Sequence, residues 1–374
     1  MRVRPVQSRA DLAAFIDLPY RLHARDPVWV PPLRYDVSTT LSRTKNPFFE
    51  HAEAQYFLAE REGQVVGRIA ATENRLHNET HEDRVGFWGW FECIDDQAVA
   101  SALFDAADAW LRPRGLTVSR GPASFSVNDQ IGLLIDGFET RPAFMMPHNP
   151  RYYAALVEGA GYVKAKDLVV LEGGGKGQYK PVAERAARAA TLVTQRLGIT
   201  LRPLDFKDFD AELARIKALY NACWEKNWGF VPLTGHEIDH LAAQFKPVAI
   251  PDLVPIVEKD GVPIGFGLTL PDLNVALYHN RRGRLLPFLL KTFWLLKTQK
   301  LDRARVLLLG VVPEWRGRGV DAVIYHWIYE KAAEHGIYWG EGSWVLEDNL
   351  AMSMALQKMG FQIYKTYRVY DRPL

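Results

Sequence analysis

The stretch that decides the fold is VLLLGVVPEWRGRGV, from Val306 to Val320. Its first part is apolar and β-rich, ends at Pro313, and leads into the turn Arg316-Gly317-Arg318-Gly319. The segment that follows, DAVIYHWIYEKAAEHG, carries apolar residues at helical spacing. A glycine-rich turn between a strand and a helix N-terminus is an anion site, because backbone N–H groups converge there and the helix dipole adds positive charge. The stretch therefore predicts a phosphate-binding turn in an α/β fold, without the Lys-Ser/Thr ending of a nucleotide P-loop.

A second motif lies downstream. Asn349 opens a run that is compatible with a helix and ends in Gly360-Phe361, and the β-like segment IYWGEGSWVL lies between the two motifs. The turn resembles the (Q/R)xxGx(G/A) pyrophosphate loop of the GCN5-related N-acyltransferases (GNAT superfamily), and the later run resembles their Asn-…-Gly-Phe helix. Both motifs occur in the family's order, so the pair is more specific than either motif alone. The resemblance implies an acyltransferase that uses acyl-coenzyme A as co-substrate.

The resemblance also implies a set of cofactor-binding residues. In chain order they are Val311, Val312, Arg316, Gly317, Arg318, Gly319 and Asn349. The two arginines would pair with the phosphates. The backbone N–H groups of Val311 and Val312, where the family's strand diverges from its neighbour, would stabilise the oxyanion of the tetrahedral intermediate.

Two positions depart from the family pattern. Asp321 replaces the last small residue of the loop, so a carboxylate lies beside the expected pyrophosphate unless it caps the helix. Leu356 stands where many relatives have the tyrosine that protonates the leaving thiolate. These departures leave open a non-catalytic, acyl-CoA-binding relic of the family.

Composition limits the partners and the location. A net charge of +2 gives no reason to expect a nucleic acid partner, and two cysteines give neither a disulfide framework nor metal-ligand spacing. The sequence has no apolar run of signal-peptide or membrane-spanning length. We expect a cytoplasmic protein.

The 374 residues predict two domains, and the chain contains two similar halves. A β-hairpin pattern occurs in each, YFLAEREGQVVGRIAA and VPIVEKDGVPIGFGLTL, and each half ends in a helix that leads to a Gly-aromatic pair. We predict an α/β fold of two tandem GNAT-like domains, residues 1–175 and 176–374, each a mixed, mostly antiparallel twisted sheet flanked by helices. The first half lacks RxxGxG and has the acidic Ile94-Asp95-Asp96 instead, which predicts one coenzyme A site per chain and a degenerate first domain that shapes the acceptor or acyl pocket.

Acyl transfer to an amine requires a base, because free amines have a pKa near ~10. Glu341, in the segment expected beside the acyl-CoA strand, is the first candidate, and Glu347 is the second. Either glutamate could instead be solvated or paired with Lys or Arg. Tyr364 or Tyr367 could replace the missing tyrosine acid, although packing in a strand is the alternative role for both.

Polar residues between apolar runs predict the acceptor pocket. SFSVNDQIG and MMPHNPRYY contain side chains that could bind hydroxyls or an amine, and ACWEKNWGFVPLT lies where the family has its acceptor loop. The candidate substrate-binding residues are Asn128, Asp129, His148, Asn149 and Trp228. Turn formation is an equally good interpretation of the first two segments.

His77 and His81 are four residues apart, a spacing that invites a metal interpretation. The segment around them is polar throughout, so we interpret it as a solvated loop and predict no metal.

The segment RRGRLLPFLLKTFWLLKTQK, Arg281 to Lys300, has a dense apolar centre and basic residues on both sides. It is too short to span a bilayer and resembles an interfacial amphipathic helix. A buried core helix is the alternative. The functional interpretation is a hydrophobic lid or a peripheral membrane contact that serves a long acyl chain or a lipid acceptor.

The two halves and this lipid-compatible segment make the chain similar to bacterial N-acyltransferases of the ceramide-synthase type, which acylate a long-chain base. We therefore expect transfer of an acyl group, of a length that the sequence leaves open, from coenzyme A to a small-molecule or lipid amine. A small-molecule N-acetyltransferase and a Fem-like aminoacyl transferase are the other enzyme interpretations.

Overall fold

The computed structural model describes residues 1–175, 184–224, 227–298 and 300–374. The strands are β1 (Arg2–Pro5), β2 (Ala52–Arg61), β3 (Gln64–Asn74), β4 (Val85–Cys93), β5 (Val118–Gly121), β6 (Leu133–Asp136), β7 (Val163–Gly174), β8 (Ile199–Arg202), β9 (Ile256–Lys259), β10 (Val262–Pro271), β11 (Arg303–Val311), β12 (Trp339–Leu346) and β13 (Gln362–Pro373). The α-helices are α1 (Arg9–Leu22), α2 (Arg34–Thr40), α3 (Arg75–His81), α4 (Gln97–Leu111), α5 (Tyr153–Gly159), α6 (Glu184–Leu197), α7 (Phe209–Trp224), α8 (Gly235–Phe245), α9 (Asn274–Leu277), α10 (Leu285–Lys297), α11 (Val320–Glu334) and α12 (Leu350–Lys358).

Both predicted hairpins are confirmed, as β2–β3 and β9–β10. Their turns are Glu62-Gly63 and Asp260-Gly261, and all four residues have positive φ, between 51° and 78°. A two-residue turn of this kind matches the twist of the flanking strands and favours glycine at its second position. Local sequence is therefore sufficient to form these hairpins.

The strands form one sheet in the order β1-β2-β3-β4-β5-β13-β7-β12-β11-β10-β9-β8, with β6 paired to β13. Within the described residues, only β4–β5 and β11–β12 pair in parallel. The strands β8 to β12 repeat the order of β1 to β5 from the opposite end of the sheet. The predicted fold class, a tandem of mixed and mostly antiparallel sheets with flanking helices, is confirmed.

The last strand of each half lies within the other half. β7 pairs with β12 of the second half, and β13 pairs with β5 of the first half. These two strands also pair with each other, from Gln362↔Glu172 to Asp371↔Val163. Backbone hydrogen bonds therefore join the halves at the centre of the sheet. The predicted boundary at 175/176 adjoins residues 176–183, outside the described residues, and stays a prediction.

The parallel pair β11–β12 separates before its strands end. Pairing stops at Val306↔Gly342, while β11 continues to Val311 and β12 continues to Leu346. Helices cover both faces of this part of the sheet. Successive residues of a strand point to opposite sides, so neighbouring residues pack against different helices. Ile256 packs in the cluster that includes α7, and Val257 packs in the cluster that includes α11. The separation thus leaves a gap between two helical layers.

The prediction of a solvated loop around His77 and His81 is wrong. The segment forms α3, and His77 is buried. The His81 Nε2 atom lies 2.7 Å from the Phe230 carbonyl oxygen. Across the described parts of the chain, no group of three or more His, Cys, Asp or Glu side chains is arranged to hold a metal ion.

The segment predicted to be amphipathic forms α10 and has one buried and one exposed apolar side. Phe288 and Leu295 are buried, whereas Leu290 and Phe293 are exposed. The helix α10 therefore combines features of both predictions, the buried core helix on one side and the exposed hydrophobic helix on the other. Within the residues described here, no helix is both long and apolar enough to cross a membrane.

Candidate active site

The separation of β11 from β12 opens a cleft of about 310 Å³. Its wall consists of β11, the glycine turn, the first turns of α11, the end of β12 and the start of α12. The residues that line it include Val311, Arg316, Gly317, Asp321, Tyr325 and Asn349. The two motifs recognised in the sequence therefore meet at one cleft.

The end of β11 presents one backbone N–H group to this cleft. The Val312 N–H donates to the Ile264 carbonyl oxygen at 3.0 Å, so it belongs to the sheet. Val311 pairs with Gly265 in the adjacent non-hydrogen-bonded register, which directs its N–H away from β10 and toward β12. The prediction that the Val312 N–H is free for an oxyanion is wrong, while that for Val311 stays a prediction.

The glycine turn has the backbone that an anion site needs. Gly317 and Gly319 have φ values of 70° and 89°, a region that favours glycine. Gly319 is also the N-cap of α11, so the N-terminal N–H groups of that helix begin at the turn. A Cβ atom on Gly317 would meet nothing within 4 Å, which leaves the approach to its backbone open.

The two arginines of the turn differ in their contacts. Arg316 donates from Nε to the Val311 carbonyl at 3.0 Å and from Nη2 to the Cys223 carbonyl at 2.6 Å. It therefore ties the turn to β11 and to the end of α7, and three of its five N–H donors are left for phosphate. The Arg318 guanidinium lies over the Trp315 ring, 5.1 Å from its centroid.

Of the two departures from the family pattern, Asp321 lines the cleft and Leu356 does not. Asp321 lines it from the first turn of α11, and the N-cap residue of that helix is Gly319, not Asp321. Leu356 is buried and packs in a cluster with Tyr325. Tyr325 lines the cleft, and burial, together with the Asp321 charge, raises the pKa of its phenol. The structure thus supplies a phenol close to the position of the missing tyrosine.

Asn349 begins α12 as predicted. Its side chain accepts a hydrogen bond from the Met352 N–H at 3.2 Å, and the residue lines the cleft. The side chain is therefore a helix cap, and its contact with a ligand stays a prediction.

Glu341, the first candidate base, is fully buried in β12. One carboxylate oxygen accepts from the Ser343 hydroxyl at 2.6 Å and lies 3.5 Å from the Arg305 Nε atom, and the other accepts from Tyr364. This geometry matches the alternative in which the glutamate pairs with an arginine.

The other predicted catalytic residues also make structural contacts. The Glu347 carboxylate accepts from Lys164 Nζ at 2.6 Å and from the Asp167 N–H at 3.0 Å, which ties the end of β12 to β7. Tyr367 is fully buried, and its hydroxyl donates to the Pro147 carbonyl at 2.9 Å. The lining of the cleft does not include either side chain.

A second cavity, of about 210 Å³, adjoins the cleft on the face covered by α7 and α8. The residues that line both spaces are Asn227, Leu307, Leu308, Trp344 and Leu346. This acceptor cavity contains Asn128, Asp129 and Trp228, so residues of both halves meet there as the sequence predicts. The Asn128 side chain donates to the Val231 carbonyl at 3.1 Å and accepts from Tyr220 at 2.7 Å.

A third and larger space, the chamber, adjoins the acceptor cavity and has a volume of about 350 Å³. Asn128, Asp129, Met145, Leu233, Leu241 and Phe245 line both spaces. Apolar side chains form much of the remaining wall, including Trp29, Leu33, Phe48, Phe144 and Leu277. The chamber lies between the halves, and an amphiphilic molecule could extend into it from the cleft.

Four carboxylate side chains line the chamber, Asp36, Glu92, Asp129 and Glu237. The Asp129 Oδ2 atom accepts from the Ser126 hydroxyl at 3.2 Å. Burial, together with the Glu237 charge, raises the pKa of Asp129 to about 7, although the hydrogen bond from Ser126 lowers it. Hydrogen bonds from His51 and Thr234 outweigh burial and hold the pKa of Glu237 below its ordinary value. Sequence reasoning missed Glu237 because its N3 position in the capping box that Thr234 begins at α8 is a sufficient local explanation.

The remaining candidates, His148 and Asn149, also line the chamber. The His148 Nε2 atom lies 2.8 Å from the Asp26 carboxylate, and burial lowers the pKa of the ring. The Asn149 amide accepts from the Leu134 N–H at 2.8 Å and donates to the Leu134 carbonyl at 3.1 Å. Asn149 is therefore committed to the backbone of β6.

The first half has no corresponding glycine turn. The β4–β5 pair also separates early, after Phe87↔Arg120. There the Trp88 ring is fully buried and so close to Gly121 that a Cβ atom on that glycine would lie 2.6 Å from it. Asp96 caps α4 by accepting from the Ala98 N–H at 2.9 Å. An aromatic side chain and an acidic cap thus occupy the region where the second half has its cleft.

Two curated proteins match this chain over its full length. It is 38% identical over 380 residues to the bacterial ceramide synthase of Caulobacter vibrioides (strain NA1000 / CB15N), an alignment that covers 100% of this chain and 98% of the relative. The chain belongs to the bacterial ceramide synthase family. It is also 36% identical over 377 residues to protein YghO of Escherichia coli (strain K12), covering 100% and 95% of the two chains. No protein-family model matches.

Solved structures support the same fold. A tandem GNAT protein from the clavulanic acid biosynthesis pathway superposes with a TM-score of 0.60 at 13% identity, covering 100% of this chain and 98% of that one. The glucosamine N-acetyltransferase region of a fungal multi-domain β-N-acetylglucosaminidase has a TM-score of 0.58 at 13% identity and covers 99% of this chain and 38% of that one. The predicted GNAT tandem is confirmed, and this member of the ceramide synthase family is an acyltransferase. Its fold implies acyl-CoA as co-substrate.

Proposed function

We propose that this protein transfers an acyl group from acyl-CoA to the amine of a long-chain, sphingoid-type base. The observation that carries the proposal is that the cleft at the glycine turn, the acceptor cavity and the chamber adjoin one another in that order, each sharing lining residues with the next. A cavity of about 150 Å³ holds benzene, so a chamber of about 350 Å³ accommodates an alkyl chain and not only a small amine.

Acyl-CoA binds with its pyrophosphate at the glycine turn and its thioester in the cleft. The positive φ values of Gly317 and Gly319 and the N-terminus of α11 favour an anion there. Arg316 holds the turn and keeps donors for phosphate. The Val311 N–H, directed toward the cleft, stabilises the tetrahedral oxyanion.

Asp129 takes the role of base that the sequence assigned to Glu341. It lines both the acceptor cavity and the chamber, and its pKa of about 7 lies near the operating pH. The neutral amine attacks the thioester carbon, and its nitrogen loses one proton to the Asp129 carboxylate. The C–S bond breaks as the carbonyl re-forms, and the thiolate of coenzyme A leaves.

Tyr325 supports the leaving group. Its phenol lines the cleft beside Leu356, and its raised pKa keeps it protonated at neutral pH. A thiol has a pKa near ~8.5 and leaves readily as the thiolate. A hydrogen bond from the Tyr325 hydroxyl to the sulfur is therefore sufficient. It replaces the proton-donating tyrosine of the relatives, whose position is occupied here by Leu356.

The test is a matched set of substrates with the purified full chain. Palmitoyl-CoA and acetyl-CoA are each combined with a long-chain 2-amino-1,3-diol and with its three-carbon analogue, while free thiol and the amide product are measured. We expect the long-chain amine to react at least tenfold faster, because each buried CH₂ contributes about 0.8 kcal/mol. Activity only with short substrates would indicate a small-molecule acetyltransferase, and use of an aminoacyl-tRNA would indicate a Fem-like enzyme. Binding of acyl-CoA without any amide product would indicate a non-catalytic relic.

The location of the enzyme follows as a proposal of the same kind. A long-chain amine and a long-chain product reside in a bilayer, so we place the protein in the cytoplasm with peripheral contact to the inner membrane. We assign this contact to the segment from Arg281 to Lys300.

A further inference from the structure

The exposed side of α10 carries a stripe of large apolar side chains. All of them are exposed: Leu285, Leu286, Leu289, Leu290, Phe293 and Trp294. Phe293 is 68% exposed, although it is among the most costly side chains to leave in water. Six such residues on one short helix form a contiguous patch, and patches of this kind mark interaction sites.

The opposite side of α10 connects the patch to the chamber. Phe288 and Leu295 are buried in a cluster with Leu33 and Leu277. Leu33 and Leu277 also line the chamber. The helix is therefore anchored in the protein by one face, one side-chain layer above the proposed lipid-binding space, while its other face is left in solvent.

The charge of the segment identifies the partner. Arg281 to Lys300 contains six basic residues and no acidic residue, whereas the whole chain has a net charge of only +2. The ammonium groups of Lys291 and Lys300 lie 4.5 Å and 4.7 Å from the centroid of the Trp294 ring, so cations border the apolar stripe. Arg281 holds the start of the segment by donating to the Trp29 carbonyl at 2.8 Å.

An anionic bilayer fits this surface better than a second copy of the chain. A symmetric dimer through α10 would bring the same basic residues of both copies together without compensating acids in the segment. Anionic headgroups neutralise these cations, and the acyl region accepts the leucines, Phe293 and Trp294.

We propose that α10 is a docking surface that rests in the headgroup region of an anionic bilayer and positions the chamber for a lipid substrate to enter from the membrane. The docking itself is independent of catalysis, and only the entry of the substrate rests on the proposed function. Phe293 and Trp294 insert, while the basic residues beside them bind anionic headgroups.

Sedimentation of the full chain with vesicles tests the proposal. Vesicles of phosphatidylethanolamine and phosphatidylglycerol should pellet the protein, and neutral phosphatidylcholine vesicles should bind it at least tenfold more weakly. The double variant Phe293→Ser/Trp294→Ser should lose binding to anionic vesicles at least tenfold. The matched control Val163→Ser/Val262→Ser removes two side chains that are 63% and 62% exposed elsewhere and should bind like the parent.

Failure of docking and failure of the proposed activity can be told apart. Amide formation from detergent-dispersed substrates should be equal in the parent and the double variant, because α10 does not take part in the chemistry. Equal vesicle binding by the parent and the double variant would overturn the docking surface. A concentration-dependent dimer that the double variant dissociates, together with no vesicle binding, would replace the bilayer with a second copy.

Discussion

The most informative perturbation is Asp129→Asn, because it should lower activity and raise stability together. If Asp129 is the base, its amide replacement cannot accept the proton, and turnover should fall by about 10²–10⁴-fold. In the parent, activity should rise with pH as the carboxylate ionises, with a midpoint near its pKa of about 7. At pH 6 about a tenth of the sites would be ionised, so the parent should run at about a tenth of its plateau rate.

The stability effect has the opposite sign. The folded-state pKa is raised from 3.8 to about 7, so the native protein binds this proton more tightly than the unfolded chain does. The free energy of unfolding therefore falls as pH rises from about 4 to about 7 and stays low above that. The full rise in pKa corresponds to about 4 kcal/mol, which solvent in the open chamber reduces to about 2 kcal/mol. Asp129→Asn removes this cost.

Two measurements check the prediction. Urea unfolding at pH 8 should show the Asp129→Asn variant to be about 2 kcal/mol more stable than the parent, and the difference should vanish near pH 4. Amide formation measured from pH 5.5 to pH 9 should lose its rising limb in the variant. Unchanged turnover at pH 8 would refute the assignment of the base. A variant that is less stable at pH 8 would refute the view that Asp129 is held at an energetic cost.

The glycine turn, Tyr325 and Glu341 each give a further prediction. Gly319→Leu should weaken acyl-CoA binding at least tenfold in calorimetry, because the new side chain fills the turn. The control is Gly336→Leu, at a glycine that also has a positive φ and has open surroundings. This control should suffer the same backbone strain and keep the affinity of the parent for acyl-CoA. Equal affinities would move the pyrophosphate elsewhere. Tyr325→Phe should lower kcat by about 10–100-fold through loss of a hydrogen bond to a charged atom, with acyl-CoA affinity unchanged. An unaltered kcat would leave the thiolate without help from Tyr325. Glu341→Gln should lower the free energy of unfolding by about 3–5 kcal/mol, because it leaves the buried Arg305 without its carboxylate partner. Normal stability with a rate loss of about 10² or more would return Glu341 to the role of base.

The sequence predicts best where an element is determined by its own neighbours in the chain. The hairpin turns at Glu62-Gly63 and Asp260-Gly261 need only a residue that tolerates positive φ followed by glycine. The glycine turn before α11 and the Asn349 cap of α12 were recognised for the same reason. The apolar, basic composition of Arg281 to Lys300 left open an interfacial helix or a buried core helix, and α10 has one buried and one exposed apolar side.

The sequence predicts least well where a residue's role depends on distant partners. The sequence left Glu341 open as a base or as a partner of Lys or Arg, because Arg305 lies on the neighbouring strand and Tyr364 lies 23 positions away in the chain. His77 lies in a polar segment, but packing against Phe87 buries its ring. The identity of a side chain does not reveal which groups the fold brings against it.

The sequence by itself determined the family, the two hairpins and the glycine turn before α11, because these are local patterns of strand, glycine and helix N-terminus. Only the tertiary structure decided that β7 and β13 exchange between the halves, because strand pairing joins residues that are nearly 200 positions apart. The same long-range pairing encloses the chamber between the halves and places Asp129 from the first half beside the cleft of the second. Tertiary packing also brings Tyr325 of α11 to the lining of the cleft, which its place in the sequence does not reveal.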